Sequence, residues 1–341
     1  MYDNIQVIRY MGNKNRLLDI IVPEIRNITD EGDCICDLMA GTASIGYALK
    51  RRNRIFSNDV QKYSYCISKA LIENNDFVIS TDSALRHLQE KYNENLYNKK
   101  YRFFTETYTD TYFSGEQCLQ IDSIRYAIEF IENEYIKSLY LSALMSAMCK
   151  VQSSPGHFAQ FMSKENDRIK KLRAMDVWQN FIEKCEDFSG IVRNEYENKA
   201  YCLDYKELIK LPDMEDVKCF YLDSPYSPEQ YSRFYHILET ITKYDNPSVS
   251  YKAKYRDDRF FSKFCYKKSA LDEFERIISF AKSNGSSLVI SYSNRGIVDI
   301  EDIVTASEKY YEKIETKSFE YNHSTQGKGN KQILEYLIIL K

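Results

Sequence analysis

The chain has 341 residues, an apolar fraction of 43% and a formal net charge of −3. That length and composition support a real core and exclude global disorder, and the near-neutral balance confines any nucleic-acid surface to a local patch. No apolar run approaches the roughly 18 residues that span a bilayer, and the first residues lack a charged segment followed by an apolar one, so neither a membrane span nor a signal peptide is expected and the expected compartment is the cytoplasm.

The nine cysteines are odd in number and scattered, and Cys34 and Cys36 have no second Cys/His pair at zinc-finger spacing. Reduced, mostly buried thiols are expected, and no metal site.

In chain order, Arg9-Tyr10-Met11-Gly12-Asn13-Lys14 precedes a helical pattern over residues 15–25. A glycine beside a lysine ahead of a helix suits a carboxylate ligand, and equally a surface turn. Residues 34–36 form the first apolar run. The segment from Asp37 through Ala40, Gly41 and Thr42 to Gly46 follows it and leads into a helix over 44–50. A glycine turn at a strand's end lets a ligand approach the backbone, and the next helix offers free N–H groups. An ordinary tight connection between strand and helix has the same appearance. A second run, 54–56, ends at Asp59, 22 positions after Asp37. An acid at that spacing is where a nucleoside-binding domain accepts ribose hydroxyls, and Asp59 is also placed to cap the helix over 63–73.

The stretch 75–198 differs. It has few strand-like runs and two long helical patterns, roughly 122–151 and 164–185; in the first, Ile124, Ala127, Ile128, Ile131 and Tyr135 recur at three- and four-residue steps. It reads as an insert packed beside an α/β domain made of 1–74 and 199–341. Beyond it, apolar runs at 200–203, 219–222, 287–290 and 334–340 alternate with helical segments such as 269–281, the pattern of a mostly parallel sheet covered on both faces.

Asp223-Ser224-Pro225-Tyr226 follows the run at 219–222. An acid, a proline and an aromatic at a strand's end suit a flipped base: Asp223 accepts one amino hydrogen, the Ser224 carbonyl accepts the other, and Tyr226 stacks on the ring. A plain turn with a favoured proline is the alternative. Residues 251–268 carry seven Lys/Arg, two Asp and six aromatics, which makes Lys252, Lys254, Arg256, Arg259 and Lys263 candidate phosphate contacts and the rings candidate base contacts. Lys328 and Lys331, in a glycine- and amide-rich segment over 322–331, are further candidates for a hairpin tip on DNA. Residues 153–158 and 164–173, with Asn166, Arg168 and Lys170, contain side chains of the types that read base edges. His157 and His236 are expected to pack or hydrogen-bond, because the chemistry just outlined needs no general base.

In this order the motifs resemble the Dam-like, alpha-class DNA adenine methyltransferases. That family has a lysine-containing glycine turn, an Asp-x-Phe-Ala-Gly-x-Gly cofactor loop, an acid after the second strand, an inserted recognition region, an acid-aromatic element (here Asp204-Tyr205) and Asp-Pro-Pro-Tyr. Residues 230–240 and 290–294 extend the likeness. The resemblance implies a Rossmann-like S-adenosylmethionine-dependent fold, with a mostly parallel seven-stranded sheet, one reversed strand near the C-terminus and a helical target-recognition insert. It implies that S-adenosylmethionine is held by Tyr10, Gly12, Lys14, Asp37, Ala40, Gly41, Thr42, Asp59 and Asp204. It implies transfer to adenine N6 in restriction-modification or in phage or host DNA protection, the partners being double-stranded DNA with a flipped adenine and, in the first case, a cognate restriction endonuclease. Ser224 stands for the family's usual proline, Met39 for its phenylalanine and Ala43 for its second glycine. An RNA methyltransferase, or a catalytically silent DNA-binding member, are the competing readings.

Overall fold

The computed structural model describes residues 5–8, 14–79, 83–162, 166–320 and 334–341. Tyr10, Gly12, Lys328 and Lys331 lie outside them, as does the segment 322–331. Among the described residues no helix is long and apolar enough to cross a membrane.

The described residues contain nine strands, six of them at the apolar runs (β1, β2, β3, β4, β7 and β9): β1 (Cys34–Asp37), β2 (Arg54–Asn58), β3 (Lys199–Tyr201), β4 (Val217–Leu222), β5 (Val249–Ser250), β6 (Tyr255–Arg256), β7 (Ser287–Ser293), β8 (Ile314–Glu320) and β9 (Leu334–Leu340). Seven form one sheet in the order β3-β2-β1-β4-β7-β9-β8, while β5 and β6 make a separate short hairpin. Pairing is parallel from β3 through β7, and β9 runs antiparallel to both β7 and β8. This is the mostly parallel seven-stranded sheet with one reversed strand that the sequence implied.

The strands alternate between two cores. Ile35, Ile55, Cys219, Tyr221, Val289 and Ile339 face one layer of helices; Cys36, Phe56, Phe220, Leu222, Ile290 and Leu340 face the other. Burial on both faces is what a parallel sheet with crossover helices requires. The second layer contains helices Ala270–Ser283 and Ile300–Glu308. The first layer includes the insert: helix Glu134–Val151 packs on the helical run 62–73, and Leu139, Leu144 and Phe181 share one core with Ile35 and Ile55. The described part of 75–198 contains six helices and no named strand, so it is helical as expected, but it shares the sheet's core rather than building its own.

Its two long helical patterns are each broken. The first gives Gly115–Glu129 and Glu134–Val151, because the Asn133 side chain accepts the N–H groups of Tyr135 and Ile136 at 3.0 and 3.1 Å and starts a new helix. The second gives Asp167–Arg173 and Val177–Glu186, because Asp176 caps Gln179 N–H at 2.7 Å. Caps of this kind override an apolar periodicity that runs through them.

Helix Ser44–Leu49 lies close on β2. A Cβ on Gly46 would sit 3.1 Å from Ile55 Cγ2 and 3.3 Å from Ile72 Cδ1. Gly46→Ala gains about 1 kcal/mol of helix propensity against a tight contact and should stay within ~1 kcal/mol of the parent. Gly46→Val forces branched methyls into both isoleucines and should cost about 1–3 kcal/mol in denaturant unfolding. Equal stability of the valine variant would show that this layer is not close-packed.

Candidate active site

Strand order reverses between β1 and β4: β2 and β3 extend one way, β7 the other. Loops leaving the C-terminal ends of β1 and β4 therefore diverge and open a crevice, the usual ligand position in an open α/β sheet. Asp37 ends β1 alongside Tyr221, two residues before Asp223.

The loop after β1 is pinned from three sides. Leu38 N–H donates to Tyr221 O at 3.0 Å, Ala40 N–H donates to Asn58 O at 2.8 Å, and Ser64 Oγ–H donates to Gly41 O at 2.6 Å. Gly41 (φ 53°) and Ala43 (φ 58°) both have left-handed backbone. For Ala43 that conformation costs roughly 1–2 kcal/mol, which explains why the family pattern has glycine there. Asn58 and Asp59 then staple the neighbouring loops together. Asn58 Nδ2 donates to Leu38 O and Leu203 O at 3.0 and 3.1 Å, and its Oδ1 accepts Leu203 N–H at 3.2 Å. Asp59 accepts Gly41 N–H at 3.0 Å and Gln61 N–H at 2.8 Å, while burial pushes its carboxyl up to about 6. Asn58 was not singled out from the sequence; a buried amide at a strand's end has no pattern of its own.

Asp204 caps the turn Tyr205–Leu208 by accepting Lys206 N–H at 2.9 Å, and Glu273 holds Lys206 at 2.7 Å and the Tyr205 hydroxyl. Asp37 is buried, and among the described residues its Oδ1 has no hydrogen-bond partner; burial and the nearby Asp223 push its carboxyl well above the usual range.

Opposite, Asp223, Ser224, Pro225 and Tyr226 leave β4. Ser224 is buried, and its hydroxyl has no partner among the described residues. Tyr226 is half-buried, stands edge-on to Tyr292 with ring centroids 6.3 Å apart, and accepts Ile297 N–H at its carbonyl at 3.0 Å. Burial pushes Asp223 up to about 6, against the pull of Lys14, whose Nζ lies 3.2 Å from Asp223 Oδ1. The same ammonium is 3.2 Å from Glu335 Oε2 on β9.

Lys14, Asp37, Ala40, Gly41, Thr42, Asp59, Asp204 and the 223–226 loop thus line one cleft of about 1260 Å³, its open mouth included. Phe260, Phe261 and Lys263 close one side of it.

The basic segment divides. Lys252 and Lys254 are exposed on the turn joining β5 to β6, and Lys263 is exposed at the cleft. Arg259 is half-buried, with its guanidinium 5.0 Å from the Tyr255 ring centre. Arg256 is a correction: its side chain is 1% exposed and forms paired bonds to Asp245 (2.7 and 2.6 Å) and Asp258 (2.9 and 2.8 Å). Its charge is spent inside the protein, holding the hairpin. Tyr112 Oη–H donates to Ala253 O at 2.8 Å and Tyr255 Oη–H to Ala159 O at 2.7 Å, which fasten the same hairpin to the insert. His236 is buried against Phe158 O at 3.0 Å and pushed down to about 3 by burial, and His157 packs edge-on to Phe234, so both take the packing and hydrogen-bonding roles expected. Asn166 caps its helix through Arg168 N–H, and Lys170 pairs with Asp167.

Residues 10–306 match the family described as D12 class N6 adenine-specific DNA methyltransferase. Among curated proteins, the modification methylase LlaI of Lactococcus lactis subsp. lactis is 30% identical over 98% of this chain and 55% of its own length. The type II methyltransferase M.FokI of Planomicrobium okeanokoites is 30% identical over 86% of this chain and 46% of its own length. The type II methyltransferase M.NlaIII of Neisseria lactamica is 26% identical over 97% of this chain and 98% of its own length. The chain thus spans about half the length of the first two relatives and nearly all of the third. With the fold and the ordered motifs in agreement, this chain belongs to the D12 class of N6 adenine-specific DNA methyltransferases.

Proposed function

We propose that this chain methylates N6 of an adenine turned out of duplex DNA, using S-adenosylmethionine, within a restriction-modification pairing with a cognate endonuclease. The observation that carries this reading is the convergence of Asp37, Asp59, Asp204 and the Asp223–Tyr226 loop on one cleft at the sheet's switch point.

The residues present fit the cofactor. Its ammonium and ribose hydroxyls are donors, and the cleft offers acceptors: the unpartnered buried oxygen of Asp37, and Asp59, whose oxygens keep lone pairs beyond their two backbone bonds. Asp204 offers a further carboxylate on the same wall. Bound there, S-adenosylmethionine supplies an electrophilic methyl group.

The protein's own part is to prepare the nucleophile. An adenine amino group is a poor nucleophile because its lone pair is delocalised into the ring. Asp223 accepts one amino hydrogen and the Ser224 carbonyl accepts the other, which favours a tetrahedral nitrogen with a localised lone pair. Serine keeps the carbonyl that the proline of the family motif would supply. Tyr226 offers the face on which the turned-out base stacks. Closing the site to water strengthens each of these contacts.

Residues 1–74 and 199–341 form the catalytic part in this reading, and the helical stretch 75–198 reads sequence. Lys252, Lys254 and Lys263 meet phosphates, with Arg259 beside them; the sequence adds Tyr10 and Gly12 as cofactor contacts, and Lys328 and Lys331 as DNA contacts.

Asp223→Ala should cut transfer of labelled methyl to duplex DNA by roughly 10²- to 10³-fold. Folding should survive, because Lys14 keeps Glu335 as a partner. Transfer at the parent rate would remove Asp223 from the mechanism, and no transfer by the parent chain would favour a silent DNA-binding member.

The carboxylate form of Asp223 is the far stronger acceptor for an amino hydrogen, and it alone offsets the charge that develops on nitrogen. With its protonation midpoint pushed up to about 6, the single-turnover rate at saturating cofactor should be level above that pH. It should fall about tenfold per pH unit below it. A rate still level at pH 5 would contradict this.

Lys252→Ala and Lys254→Ala should each lower the salt dependence of DNA binding by about one unit in log–log slope and leave stability unchanged. Arg256→Ala should instead destabilise the fold by about 1–3 kcal/mol. That is less than a fully buried pair, because Asp245 and Asp258 are 39% and 53% exposed. A salt-slope change with intact stability for Arg256→Ala would return it to the DNA face.

A further inference from the structure

Strand β9 reads Leu334-Glu335-Tyr336-Leu337-Ile338-Ile339-Leu340, and one buried acid stands in that apolar run. A carboxylate costs several kcal/mol to bury unless a cation compensates it. Its side chain is 5% exposed and its partner is Lys14, itself 6% exposed, which also pairs with Asp223. The three groups come from distant parts of the chain: the first helical turn at Lys14–Leu17, the loop after β4, and β9. The ammonium is equidistant from the two acids, 3.2 Å from each.

The geometry points to Glu335 as a positioning residue for the reaction: it holds Lys14 on one oxygen of Asp223 and gives the three-residue cluster a net negative charge facing the adenine amino group. The inference rests on the methyl-transfer reading above.

Two consequences follow from the arrangement. Lys14 sits at Oδ1 of Asp223, which fixes that oxygen and points to Oδ2 as the one that meets the base. The second consequence is charge. An Asp223–Lys14 pair alone is neutral, and its ammonium would draw density from the acceptor. With Glu335 sharing the ammonium, the cluster carries −1. As the amino nitrogen forms its new bond to carbon it gains positive charge, which it sheds afterwards as a proton. A site with preset negative charge stabilises that change more than a neutral one does. Among the described residues, the other groups facing Asp223 are Asp37 at the end of β1, Tyr221 on β4 and Tyr226 in its own loop. None of them contributes a second cation.

Glu335 and Lys14 act on Asp223 with opposite sign: the acid raises its protonation midpoint and the ammonium lowers it. The test is therefore a pair of variants, Glu335→Gln and Lys14→Gln. Single-turnover methyl transfer is followed against pH, with DNA affinity and thermal melting measured on the same proteins. Glu335→Gln should lower the plateau rate by roughly 10- to 100-fold. It should also move the acid limb to lower pH, by about half a unit to one unit, with DNA affinity unchanged. Lys14→Gln should move the limb to higher pH. Glu335→Asp keeps the charge, so its limb should stay at the parent pH while the rate falls only a few-fold; it carries the test if the glutamine variant does not fold. A parent-like plateau in Glu335→Gln overturns the inference. So does a slow variant whose limb has not moved, since lost packing explains that equally well. A parent chain that leaves adenine unmodified overturns this inference together with the reading it rests on, whereas an active parent with unmoved limbs overturns only the inference.

Discussion

The parallel pairing of β1 with β4 is the constraint on which the rest of the molecule depends. It registers Asp37 against Tyr221 across a long separation in sequence. Two strands that each feed a loop at the same edge, with their onward connections running opposite ways, leave a crevice that no helix fills. Acidic residues that are far apart in the chain become neighbours there. The insert does not interrupt this pairing, because its helices pack on the same core that β1 and β2 help to form. The helical stretch and the sheet thus share one core, and Tyr112 and Tyr255 fasten the β5–β6 hairpin to that stretch while Arg256 ties it to Asp245 and Asp258.

Such a cleft concentrates negative charge in a poorly solvated place, and the structure handles each acid differently. Asp59 is satisfied by backbone N–H groups and in return fixes the glycine turn. Asp223 and Glu335 share one lysine. Asp37 retains an oxygen with no partner among the described residues, and unmet acceptor capacity at a strand's end is what a donor-rich ligand completes. In the proposed reaction, one fold thereby supplies both a binding acid and a reacting acid from similar positions on parallel strands.

Much of this was legible in the sequence. Buried parallel strands announce themselves as apolar runs, and β9 was read with its bounds intact. Spacing placed Asp37 and Asp59 on one ligand, and the cleft brings them together with Asp204 and Asp223. The misreadings have physical causes. β8, Ile-Glu-Thr-Lys-Ser-Phe-Glu, is a half-exposed edge strand whose charges hide its alternation, so only its hairpin partner was visible. Periodicity carried the long helices past Asn133 and Asp176, since an apolar stripe says nothing about a side chain that caps a new helix. Arg256 was counted with its basic neighbours because charge density along a chain does not distinguish a solvated cation from one enclosed by two carboxylates. Glu335 was missed altogether, although a lone acid inside an apolar strand is a signal in its own right.

The most direct test of the central claim, that this cleft methylates N6 of adenine in DNA, is expression in a host lacking adenine methylation, followed by modification-sensitive sequencing of its DNA. The account predicts N6-methyladenine in one recurring sequence, present with the parent chain and absent with Asp223→Ala. Unmodified DNA from well-expressed, folded protein would contradict it.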